Sequence, residues 1–120
     1  MGRTIIALVD DMFFASKIRA TAEALAVTIK FPRNPDALIS ATTELVPDLI
    51  VVDLHNQKFN PIDVVGQLKT KESLKGVPLL GFFSHVQTEL QRQALEAGYD
   101  QVIPRSVFSR DLAKILSEGI

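Results

Sequence analysis

The chain has 120 residues, 47% of them hydrophobic and 22% charged, and its 13 basic side chains nearly balance 14 acidic ones. That composition suits one compact domain over residues 1–120, argues against disorder, and supplies no basic stripe for nucleic acid. The lack of cysteine excludes disulfides, thiol chemistry and cysteine-held metal, and no apolar run is long enough for a membrane span or a secretory signal, so a cytoplasmic protein is expected.

Short apolar runs alternate with segments of helical period. The first run, Thr4-Ile5-Ile6-Ala7-Leu8-Val9, is continuously apolar, as a strand buried on both faces should be, and Asp10-Asp11 end it. From about residue 16 to 25, Ile18, Ala22 and Leu25 share a helical face. The second run, Val27-Thr28-Ile29-Lys30-Phe31, alternates between apolar and polar, which predicts an edge strand with one wet face. Asn34-Pro35-Asp36 then reads as a helix cap, a proline at the first helical position and an acid in the first turn, opening a helix to about Leu45.

The third run, Leu49-Ile50-Val51-Val52, stops at Asp53. After a polar loop over 55–60, Asn60-Pro61 repeats the cap-and-proline signal for a helix to about Lys71. The fourth run, Pro78-Leu79-Leu80-Gly81-Phe82-Phe83, ends at Ser84. Over 87–97, Leu90, Ala94 and Leu95 stand at helical spacing, with Gly98 as a stop and Glu89, Arg92 and Glu96 as a solvated face. A short fifth strand covers 101–103. Pro104-Arg105-Ser106 reads as a turn, and a final helix turns Leu112, Ile115 and Leu116 inward.

Five strands alternating with five helices predict an α/β protein with a doubly wound parallel sheet and helices on both faces. With the second strand at the edge, the order is 2-1-3-4-5. Sites in such sheets form at the carboxyl ends of the strands, where strand order reverses. There strand one delivers Asp10 and Asp11, strand three Asp53 and strand four Ser84, while Arg105 follows strand five. Carboxylates so crowded need a counter-charge, and a hard divalent cation such as Mg²⁺ supplies it through oxygen ligands. An ionised carboxylate in that setting can attack phosphorus, with Ser84 and Arg105 on the phosphoryl oxygens.

The residues Val9-Asp10-Asp11, Pro47 through Leu54, Val77-Pro78-Leu79-Leu80 through Ser84, and Ala97-Gly98-Tyr99-Asp100 leading to Arg105 carry a resemblance. Over nearly its whole length the chain resembles the CheY-like receiver domain of bacterial two-component response regulators, a flavodoxin-like fold. The resemblance implies that Asp53 is the phosphate acceptor and that Asp10 and Asp11 serve Mg²⁺, with Asp11 the direct ligand. It further implies the backbone carbonyl of His55 as a metal ligand and Ser84 as the hydroxyl that meets the phosphoryl group. A histidine kinase or phosphotransfer protein would be the donor, and the protein would be a signalling module, not an enzyme. An unidentified downstream protein, or a second copy in a homodimer, would use the face formed by 87–97, 101–103 and 107–117. No nucleic-acid or membrane partner is expected.

Three positions depart from the family's pattern. Arg105 stands where the family has lysine, Ser106 where it usually has proline, and Val102 where it has an aromatic switch residue. Arginine for lysine is not conservative at a tight phosphate site. These departures sustain a rival reading: a pseudo-receiver that binds partners without phosphorylation. Asp10-Asp11 also read as turn or helix-cap residues, Ser84 as a helix cap, and Arg105 as a loop cation or a partner for Asp53. A flavodoxin should carry a Ser/Thr/Gly-rich loop after strand one, and a haloacid-dehalogenase-type phosphatase an Asp-x-Asp; Asp10-Asp11-Met12-Phe13-Phe14 is neither. His55 and His85 read as exposed loop residues in their side chains, and of Phe13 and Phe14 one ring is expected in the core.

Overall fold

The computed structural model describes residues 3–55, 57–84 and 88–120. Five parallel strands form one sheet: β1 (Thr4–Leu8), β2 (Thr28–Lys30), β3 (Leu49–Asp53), β4 (Leu79–Phe83) and β5 (Gln101–Pro104). Around it lie α1 (Met12–Ala24), α2 (Pro35–Glu44), α3 (Pro61–Lys69), α4 (Thr88–Ala97), α5 (Arg105–Arg110) and α6 (Leu112–Glu118). The strand order is β2-β1-β3-β4-β5, as the sequence predicts, so the order reverses between β1 and β3.

The apolar runs are continuous because the central strands are covered twice. Ile5, Ala7, Leu49, Val51, Leu80 and Phe82 pack on one face against Phe14, Ile18 and Ala22 of α1, Phe108 of α5, and Leu112, Ile115 and Leu116 of α6. The intervening residues Ile6, Leu8, Ile50, Val52, Leu79 and Phe83 pack on the other face against Leu38 of α2, Val64, Val65 and Leu68 of α3, and Ala94 of α4. This odd–even division is the period of two of a strand, and each fully buried Leu, Ile or Phe contributes roughly 1.5–3 kcal/mol. β2 exposes Thr28 and Lys30, as an edge strand should.

Local chemistry explains most helix ends. Asn34 is extended, and its Oδ1 accepts the Ala37 N–H at 2.8 Å, so the predicted cap of α2 is present. Asn60 behaves differently: it is left-handed (φ 46°, ψ 59°) and its side chain makes no cap hydrogen bond, although Pro61 still opens α3. The preceding 3₁₀ turn, Gln57–Phe59, buries the Phe59 ring. Gly98, with φ +130°, ends α4 as expected.

Several sequence expectations need correction. α1 starts at Met12, well before residue 16, because Asp11 caps it. Leu95 does not join Leu90 and Ala94 on the buried face of α4 but is 45% exposed. Pro104-Arg105-Ser106 is not a turn: Pro104 ends β5 and Arg105 is the first residue of α5. The final helix is in two pieces, broken at Asp111.

The acids Asp48 and Asp100 do structural work at the opposite end of the sheet from the predicted site. Asp48 Oδ2 accepts the Thr4 N–H at 2.8 Å, and Asp100 Oδ2 accepts the Leu79 N–H at 2.7 Å, fixing the amino ends of β1 and β4. The buried Tyr99 hydroxyl donates to the Pro61 carbonyl at 2.8 Å and ties the start of β5 to α3.

Candidate phosphoryl and cation site

The carboxyl ends of β1, β3, β4 and β5 open onto one pocket of about 300 Å³ lined by Asp10, Asp11, Asp53, His55, Lys58, Ser84 and Arg105. All the side chains proposed from the sequence therefore meet at the switch point. A larger groove of about 580 Å³ between α3 and α4 is lined by Ile62, Asp63, Glu89 and Leu90 among others, and none of the predicted site residues reaches it.

Asp53 ends β3 with the same parity as Leu49 and Val51, so its side chain leans toward the α1 side of the sheet. It is 7% exposed, and its Oδ1 accepts the backbone N–H of His55 at 2.9 Å. Burial raises its pKa above the ordinary carboxylate value; the His55 N–H, the charges of His55 and Arg105 oppose that shift, and the nearby Asp10 charge adds to it.

Asp11 is fully committed. Its Oδ1 accepts the N–H groups of Phe13 and Phe14 at 2.9 and 3.1 Å, capping α1. Its Oδ2 accepts a hydrogen bond from Arg105 Nη2 at 2.8 Å. The Arg105 guanidinium, followed by the α1 cap, holds its pKa below the usual value. Arg105 is thus paired with Asp11, and the alternative partnership with Asp53 is a longer-range attraction only.

The guanidinium also lies over the Phe14 ring, 4.0 Å from its centroid. That ring is locked edge-on against Phe82 and Phe108, with centroids 5.3 and 5.7 Å away, while Phe82 and Phe108 stack on each other. Phe14 is the core ring and Phe13 is 91% exposed. Asp10 and Ser84 are exposed at the pocket wall. His85 lies outside the described residues. Val102, at the expected aromatic position, is buried in the core beside α4.

One pocket residue, and one core residue beneath it, escaped the sequence reading as parts of the site. Lys58 adds a cation from the β3–α3 connection, and Phe14 seats Arg105. Phe14 was recoverable: starting the helix at Met12 places Phe14, Ile18 and Ala22 on one stripe at i, i+4 and i+8.

The donors suit a hard divalent ion, since they are carboxylate oxygens beside a loop carbonyl. As placed, however, no three carboxylate or imidazole groups among the described residues converge closely enough to hold one. The oxygens of Asp11 are engaged by the helix cap and by Arg105. The donor chemistry fits such an ion, and one of the donors, Asp11, is paired with Arg105.

A doubly wound parallel α/β sheet with an acidic pocket at its switch point defines the class of molecule. No family model matches the sequence, and no curated relative matches it. Solved structures do. The chemotaxis response regulator CheY4 of Vibrio cholerae superposes with a TM-score of 0.86 at 12% identity, covering 100% of both chains. A response regulator from Hahella chejuensis gives 0.86 at 16%, covering 96% of this chain and 92% of its own. The receiver domain of the sensor histidine kinase PA1611 from Pseudomonas aeruginosa, in which a magnesium ion is coordinated in the active-site cleft, gives 0.83 at 16%, covering 97% and 95%. The chain has the CheY-like fold of response-regulator receiver domains. Among the described residues, no helix is long and apolar enough to cross a membrane.

Proposed function

We propose that residues 1–120 act as one receiver-like signalling unit in which Asp53 accepts a phosphoryl group. The observation that carries this reading is the single pocket uniting Asp53 with Asp10, Asp11, Ser84 and Arg105. A carboxylate oxygen of Asp53 attacks the phosphorus of a phosphohistidine on a histidine kinase or phosphotransfer protein. The new P–O bond forms as the P–N bond breaks, and the donor ring leaves neutral, keeping the proton on its other nitrogen. Arg105 and the Ser84 hydroxyl would face the phosphoryl oxygens, supplying the positioning and charge neutralisation that phosphoryl transfer chiefly needs. Mg²⁺, held by Asp10, Asp11, Asp53 and the His55 carbonyl, would neutralise charge on the transferring group. The protein would act in the cytoplasm as a signalling module, with output through the face of α4, β5 and the α5–α6 pair, toward a downstream protein or a second copy.

Incubation with acetyl phosphate and saturating Mg²⁺, followed by intact-mass measurement, tests the reading. Wild type should gain one phosphoryl group and Asp53→Asn none. One observation favours a second reading, the phosphorylation-independent pseudo-receiver: the Arg105–Asp11 ion pair occupies a carboxylate the metal would use. Absence of uptake in both proteins would select it and refute the first.

A further inference from the structure

We propose that Arg105 is the site's resident cation and that a divalent ion enters only by displacing its guanidinium from Asp11. The inference deepens the proposed function, since it takes Asp11 as part of the cation site. Three constraints fix the guanidinium. Its edge meets Asp11 Oδ2 at 2.8 Å. Its face covers Phe14 at 4.0 Å. Its backbone is set as the first residue of α5, directly after Pro104.

The two contact residues are themselves fixed by one turn of helix. Asp11 caps α1 with Oδ1, which aims Oδ2 at Arg105, and the capped N–H groups include that of Phe14, whose ring carries the guanidinium. Phe14 is 5% exposed and packed edge-on against the stacked rings of Phe82 and Phe108, which hold it in place. Phe14 and Asp11 are positioning residues for Arg105.

Arginine matters here in two ways. Its guanidinium remains charged at every accessible pH, so it competes with a metal ion throughout. Its planar shape also lets one face stack while one edge pairs, which a lysine ammonium on a flexible stem cannot do. A divalent ion must break both contacts to reach Asp11, so its affinity is reduced relative to a protein lacking the clasp.

Mn²⁺ serves as the probe, because carboxylate and carbonyl ligands suit it and its free form is counted directly by electron paramagnetic resonance. Unphosphorylated wild type, Arg105→Gln and Arg105→Lys are titrated, with far-UV circular dichroism confirming that each is folded. Both variants should bind Mn²⁺ about two- to fivefold more tightly than wild type, the size expected for losing a partly exposed ion pair. Equal affinity in wild type and Arg105→Gln, including no binding in either, overturns the proposal. A gain in Arg105→Gln without one in Arg105→Lys also overturns it, because net charge alone then accounts for the effect. No phosphoryl donor is present, so failure of Asp53 to be phosphorylated leaves this result standing on its own.

Discussion

Asp53 Oδ1 accepts the backbone N–H of His55 at 2.9 Å, which holds a nearly buried carboxylate at the tip of β3. The arrangement leaves an ionised group poorly hydrated, so the charged form of Asp53 comes at the expense of stability.

The pH dependence of that expense has a definite sign. The Asp53 pKa is raised in the folded protein above its unfolded value of 3.8, mainly by burial. The folded state therefore holds the proton more tightly, and stability is lost as pH rises through the raised value. Asp53→Asn keeps the acceptor for the His55 N–H and removes the charge. Thermal melts should show the variant a few degrees more stable at pH 7, with the advantage shrinking as pH falls toward 4. An advantage that grew on acidification would contradict the burial argument.

Gly81 lies in register with Val52, beside the strand that carries Asp53. A Cβ there would come within 2.8 Å of Leu54 Cδ1 and 3.0 Å of its Cγ, and Leu54 is fully buried directly after Asp53. Gly81→Ala must push Leu54 from its seat, so chemical denaturation should report a loss of about 1–3 kcal/mol. The same shift should slow any labelling of Asp53 by acetyl phosphate.

Ala26 is left-handed, with φ 58°, at the end of α1. The Val27 N–H bonds the Ala22 carbonyl at 2.8 Å and the Ala26 N–H bonds that of Glu23 at 3.1 Å, a helix-stop pattern that normally places glycine at this position. Ala26→Gly relieves the Cβ clash and should stabilise the protein by about 1 kcal/mol in urea titrations, without changing cation binding.

The alternation of strands and helices was legible because short, continuously apolar runs such as 4–9 and 49–52 stand apart from segments of helical period; Ile5 and Ile6 are both apolar because they face the two covered sides of the sheet, while Ile18 and Ala22 share one helical face. The convergence of Asp10, Asp11, Asp53, Ser84 and Arg105 was legible too, since strand order dictates which tips are neighbours. The pairing of Arg105 was not. It depends on a helix beginning immediately after Pro104 and on side-chain reach across the sheet, and Pro104 by itself signals a break. The two Asn-Pro pairs make the same point. Asn34 is extended and caps, whereas Asn60 is left-handed, directly after the turn that buries Phe59, and does not.

The central claim is that Asp53, rather than Asp10 or Asp11, becomes the acyl phosphate. Borohydride reduces an acyl phosphate on aspartate to homoserine, which peptide mass spectrometry locates. After acetyl phosphate and Mg²⁺, homoserine is expected at position 53 alone. Its appearance at position 10 or 11, or its absence at every position, would contradict the account.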